Sequence, residues 1–147
     1  MYSLILLLHI LGATIWTGGH IVLSCVILPQ AIREQSPARL MSFETGFEKL
    51  GIPALVIQIL TGFGLAYFLL PDPAGWFSGG NVVSRLILIK LGLLVLTIIF
   101  ALDARIRLFP KLKQGHPVTL AYHIILVTVL SVLFVVTGVA FRTGGYF

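Results

Sequence analysis

Long apolar stretches joined by short polar ones dominate the chain. Four of them, residues 4–28, 50–70, 82–102 and 118–141, have the roughly 20-residue length that a helix needs to cross a bilayer. The first holds no charged side chain. It lacks the basic leader and small-residue cleavage site of a signal peptide, so it is read as a helix of the mature protein. Pro53 kinks or starts the second, and Pro117 suits the first turn of the fourth. The connections are short, so neighbouring helices should run antiparallel. The first connection contains "SPARLMSFETGFEKLG". Ser36 can cap a helix there and Pro37 can start it, which predicts a short amphipathic helix at the interface. Glu44 and Glu48 are i,i+4 neighbours on it, either a solvated face or a metal pair. The stretch "LPDPAGWFSGGN" is turn-rich, with Trp76 as an interfacial anchor. The expected architecture is all-α: one transmembrane domain over residues 1–147, an antiparallel four-helix bundle with a short interfacial helix between helices one and two.

Composition agrees with this pattern. Hydrophobic residues make up 58% of the chain and charged residues 10%, with a mean hydropathy of +1.05. Soluble domains sit nearer 45–50% apolar and about 25% charged. Basic residues are unevenly placed: Arg33, Arg39, Lys49, Arg105, Arg107, Lys111 and Lys113 lie on the side of connections one and three, against Arg85 and Arg142 on the other. By the positive-inside rule both termini are extracytoplasmic, in a bacterial-type inner membrane. The net charge of +5 is then a topology signal and a contact with anionic lipid, with no nucleic-acid partner implied. The single cysteine, Cys25, excludes a disulfide framework and reads as a small buried hydrophobe.

Against this background the polar residues inside the spans stand out. "HILGATIWTGGH" begins at His9 and ends at His20. At about 100° per residue the two histidines fall roughly 20° apart on one helix face. Gly12, Trp16 and Gly19 lie on or near the same stripe, where glycines let a flat group or another backbone come close. The rise between the histidines is about 16 Å, and His123 in the fourth helix falls within one turn of His20 in depth. His116 precedes Pro117 at the surface and is a lesser candidate. Lys90 sits near the middle of the third span, and its side chain reaches toward the level of His9. An ionisable residue at such a place defaults to a functional role. Gln58 and Thr61 can line the same interior.

Imidazoles projecting into a four-helix bundle can hold haem iron axially. They also suit copper, although cuprous copper prefers sulfur, and Cys25, Met1 and Met41 do not cluster in sequence. "HILGATIWTGGH" followed by "LPQ", together with "LILIKLGLLVLTIIFALDARIRLFPKL", resembles the CopD copper-resistance family. The entry "FEKLGIPALVIQILTGFGL" and the same layout also resemble the HemJ-type protoporphyrinogen oxidases. The HemJ resemblance implies haem b at His9 and Lys90; the CopD resemblance implies copper import or tolerance. The expectation is a membrane redox protein with haem b held by His9, His20, His123 and Lys90, acting with quinone or a porphyrin. Copper handling is the alternative, and a cofactor-free partner subunit is a third class. Homo-oligomerisation is left open.

Overall fold

The computed structural model describes residues 1–108 and 117–146. Four helices among them are long and apolar enough to cross a membrane. Helix α1 (Tyr2–Val22) passes through a wide π-helical turn, Leu23–Ile27, into α2 (Leu28–Arg33). A tight reversal follows, with Gln35 at a positive φ of 49°. Arg39 braces it, donating to the Glu34 carboxylate at 2.9 and 3.0 Å and to Gln30 at 3.0 Å.

Helix α3 (Pro37–Leu69) is continuous for 33 residues. The stretch expected as a separate interfacial helix forms its first turns, and the helix runs on through Pro53. At 1.5 Å per residue such a helix is about 50 Å long, more than the roughly 30 Å hydrocarbon core. Its charged beginning, with Glu44, Glu48 and Lys49, therefore extends past the apolar layer.

A 3₁₀ turn, Pro73–Phe77, joins α3 to α4 (Val82–Asp103). Asn81 caps α4 by accepting from the Ser84 backbone N–H at 2.8 Å. The Ser84 hydroxyl in turn serves the turn's backbone, lying 2.8 Å from the Gly75 carbonyl and accepting from Gly79 N–H at 2.9 Å. Trp76 is buried rather than an interfacial anchor. Its indole N–H donates to the Leu70 carbonyl at 2.8 Å, and its ring stacks on Phe63. A second π-helical turn, Ala104–Leu108, ends α4, and α5 (Pro117–Thr143) returns to the side of the N-terminus.

Helix α1 packs against α3 on one side and α5 on the other, and α4 packs on α5. A dry core closes the end that carries the basic residues: Leu23, Leu28, Ala31, Leu40, Leu108, Leu120 and Ile124. Both π-helical turns supply residues to it, Leu23 and Leu108. Leucines such as Leu7, Leu60, Leu102 and Leu133 face outward, as a lipid-covered surface requires. Cys25 is also on that surface, not in the core, because the π-helical turn commits its neighbour Leu23 to the interior.

Small residues set the α1–α3 distance. A Cβ at Gly12 would lie 2.8 Å from Gln58 Cγ and 3.1 Å from the Ala54 carbonyl oxygen, whereas at Gly18 it would meet nothing within 4 Å. Overpacking of this kind costs about 1–3 kcal/mol. Gly12→Val should therefore lower the stability of the detergent-solubilised protein by that amount in an unfolding titration, and Gly18→Ala should leave it unchanged or slightly higher. Equal effects of the two would contradict the close approach.

Candidate functional site

The polar side chains of the spans sit at three levels along the bundle. At the level nearest the termini, His9 Nδ1 lies 2.9 Å from Thr61 Oγ1. The Thr61 hydroxyl has one proton and donates it to the Ile57 carbonyl one turn back. Its oxygen must therefore accept from His9, which fixes the Nδ1–H tautomer and leaves the Nε2 lone pair for another partner. Gln58 holds the same turn of α1 by donating to the His9 carbonyl. From α4, Lys90 places its ammonium 5.4 Å from the centre of the Phe141 ring. Gly138 lies beside it, where a Cβ would meet Nζ at an ordinary contact distance of 3.7 Å. Gly138 and Phe141 lie about as far along α5 from Ser131 as His9 lies along α1 from Thr17, the partner of Ser131, so Lys90 reaches the level of His9. Helices α1, α3, α4 and α5 thus all contribute to this level.

The middle level belongs to His20. It is 9% exposed, and neither ring nitrogen has a hydrogen-bond partner. Its ring packs edge-on against Trp16 at 4.6 Å and Phe47 at 5.7 Å. The neighbouring hydroxyls are committed elsewhere. Thr17 donates to the Ser131 carbonyl at 3.3 Å, and Ser131 to the Thr128 carbonyl at 2.7 Å. The Thr128 hydroxyl lies 2.8 Å from the Ile124 carbonyl and 3.1 Å from that of His20 itself.

At the level nearest the basic end, His123 Nε2 donates to the Phe100 carbonyl at 2.7 Å. A carbonyl only accepts, so this histidine carries its proton on Nε2. Its Nδ1 lies 4.0 Å from an Asp103 carboxylate oxygen, and Arg107 pairs with the same residue at 3.2 Å. Glu48 pairs with Arg105, and Glu44 belongs to the same group of charges.

The rings of His20 and His123 turn to different neighbours, α3 and α4 respectively, and share no hydrogen bond. His9 and Lys90 occur at one level. His116 lies outside the described residues, and among these no three His, Cys, Asp or Glu side chains converge on a metal position. A haem needs an accessible imidazole nitrogen beside a ring-sized space. The His20 nitrogens are covered and His123 Nε2 is taken, so these two histidines do not present that fit in this packing. Phe47 and Asp103 were missed in the sequence. The i,i+4 pair Phe43 and Phe47 opposite Gly19 was a faint signal for the first. Nothing local marked Asp103, twenty residues from its histidine.

The family model for copper resistance protein D, CopD, matches residues 41–141, more than half of the 147-residue chain. The chain belongs to the CopD family. No curated protein and no solved structure matches it. The match favours the copper alternative over haem b; the haem, quinone and porphyrin expectations find no support in it.

The tautomer argument is open to test. In the CopD-family protein labelled with ¹⁵N-histidine, His9 should show the Nδ1–H form, and Thr61→Val should abolish that preference. An unchanged His9 spectrum in Thr61→Val would remove Thr61 as the orienting group.

Proposed function

We propose that this protein handles copper at a bacterial-type inner membrane, passing the ion through the bundle by way of its intramembrane histidines. Copper is the cargo. The observation that carries the reading is the CopD family match over residues 41–141. The geometry supports it: His9, His20 and His123 stand at successive levels, and His9 and His20 each offer a ring nitrogen without a protein partner. Imidazole is a suitable copper ligand. Cys25, the one thiol in the chain, faces outward, so the interior offers nitrogen rather than thiolate.

In this reading the basic end faces the cytoplasm, following the distribution of Lys and Arg. His9 with Lys90 then forms the extracytoplasmic level, and the Asp103 and Glu48 carboxylates line the cytoplasmic exit. A reporter fused after Phe147 that works only in the cytoplasm should stay silent; a fully active one would reverse the orientation.

Cells expressing the protein should change their copper content and copper tolerance relative to cells with an empty vector. His9→Ala, His20→Ala and His123→Ala should each move these values back toward the control. Unchanged copper content and tolerance, in company with a Soret band in the purified protein, would replace copper with haem.

Lys90 sets a second test. A mid-span lysine costs about 2.5–3.5 kcal/mol on insertion scales. Its charge opposes a cation at His9: at an effective dielectric constant of about 20, like charges within about 12 Å repel by about 1.4 kcal/mol or more, roughly tenfold in rate. Lysine can shed its proton in such surroundings and arginine cannot. Copper uptake should therefore rank Lys90→Met at or above wild type and Lys90→Arg roughly tenfold below it. Equal uptake in all three would make Lys90 a snorkelling cation with no part in transport.

A further inference from the structure

We propose that His20 is a binding station for a single cuprous ion, and that the Phe47 ring is the lid that separates it from the carboxylates of Glu44 and Glu48. The inference rests on the copper reading and gives it a location.

His20 is the exception among the described histidines. His9 and His123 each have a hydrogen bond to a ring nitrogen, whereas His20 has none. A neutral imidazole carries one N–H and one lone pair. Leaving a buried polar group unpaired is costly, and in hydrocarbon water offers no relief. Thr128 on α5 bonds the backbone carbonyl of His20 and leaves its ring alone. The ring is held free of protein partners, because the hydroxyls of Thr17, Thr128 and Ser131 are committed to backbone carbonyls.

The walls of the pocket indicate the ligand. Trp16 and Phe47 present aromatic rings at 4.6 and 5.7 Å from the imidazole, and aromatic faces attract cations. No charged side chain among the described residues bonds to the His20 ring. A divalent ion would then enter an apolar pocket without compensation, and the cost of burying charge rises with its square. One neutral nitrogen and two rings suit a monovalent, polarisable cation.

Phe47 occupies a slot cut by two glycines. A Cβ on Gly19 would overlap its ring, and one on Gly51 would lie 2.9 Å from it. The ring therefore lies close against the α1 backbone at Gly19 and packs edge-on to His20 from the α3 side. Phe43, one turn earlier, stacks on it at 5.8 Å and 16°. That ring offers an apolar surface for Phe47 to move against. Glu44 and Glu48 flank Phe47 on α3, with Glu48 paired to Arg105. An ion released past the ring reaches carboxylates on the same helix. The glycine slot positions the lid, the unpaired imidazole supplies the ligand, and the carboxylates receive the ion.

The chain has two tryptophans, so Trp76→Phe leaves Trp16 as the reporter next to the site. The probe is cuprous ion kept reduced under argon, added to this variant in detergent. Trp16 fluorescence should be quenched saturably. His20→Leu, which preserves the packing, should weaken the binding by at least about tenfold, or 1.4 kcal/mol. Phe47→Leu and Phe47→Ala should retain quenching and accelerate its onset, the alanine variant more. Quenching that survives His20→Leu, or copper bound by metal analysis without quenching, places the ion elsewhere and overturns the station while the copper reading stands. An onset unchanged in both Phe47 variants overturns the lid. No copper bound and no copper phenotype removes the copper reading and this proposal with it.

Discussion

The seam between α1 and α3 is the constraint on which the other features depend. Inside a bilayer there is no hydrophobic drive to bring two apolar helices together, so close packing and internal polar bonds must do it. Here Gly12 admits the α3 backbone near Ala54 and Gln58, and Gly19 with Gly51 admits the Phe47 ring. Gln58 then reaches the His9 carbonyl, and Thr61 reaches the His9 ring. A larger residue at Gly12 or Gly19 would separate the helices and release these contacts together. The same close approach buries His20 behind Phe47, so packing and candidate chemistry share one set of residues.

Hydrocarbon offers no hydrogen bonds, and that constraint explains the rest of the interior. Most of its polar side chains satisfy their helix's own backbone or a neighbour's: Thr97 donates to Leu93, Thr137 lies within bonding distance of Leu133 and Tyr146, and Ser131 donates to Thr128. These bonds leave little polar capacity unassigned. What remains among the described residues includes Nε2 of His9, both nitrogens of His20, Nδ1 of His123 beside Asp103 and the Lys90 ammonium over the Phe141 ring. Nitrogen lone pairs at three depths are the chemistry on which the proposed copper handling rests, and the CopD match supplies its metal.

Much of the fold was legible in the sequence because span length is a one-dimensional signal. The four apolar helices appear near where hydropathy places them. The separate interfacial helix did not, since nothing at Lys49 or Leu50 stops a helix that Ser36 and Pro37 have begun. The glycine stripe on α1 was also readable, and the flat group it admits is Phe47. Periodicity supplies the depth and face of a Cα, but not the neighbour to which a ring turns. Thus His20 and His123, close in expected depth, face different helices, while Lys90 and His9 come to one level. The π-helical turns at Leu23–Ile27 and Ala104–Leu108 shift the register after them, and no local sequence rule announced them. Cys25 lies within the first of these turns, which buries Leu23 and leaves the cysteine outward.

The central claim is that the bundle takes copper through histidine nitrogen inside the membrane. Copper K-edge X-ray absorption of the purified, copper-loaded protein tests it most directly. The account predicts a cuprous centre of low coordination number with imidazole scattering, lost when His9, His20 and His123 are replaced together. A sulfur-dominated shell, or a spectrum unchanged by the triple replacement, would contradict it.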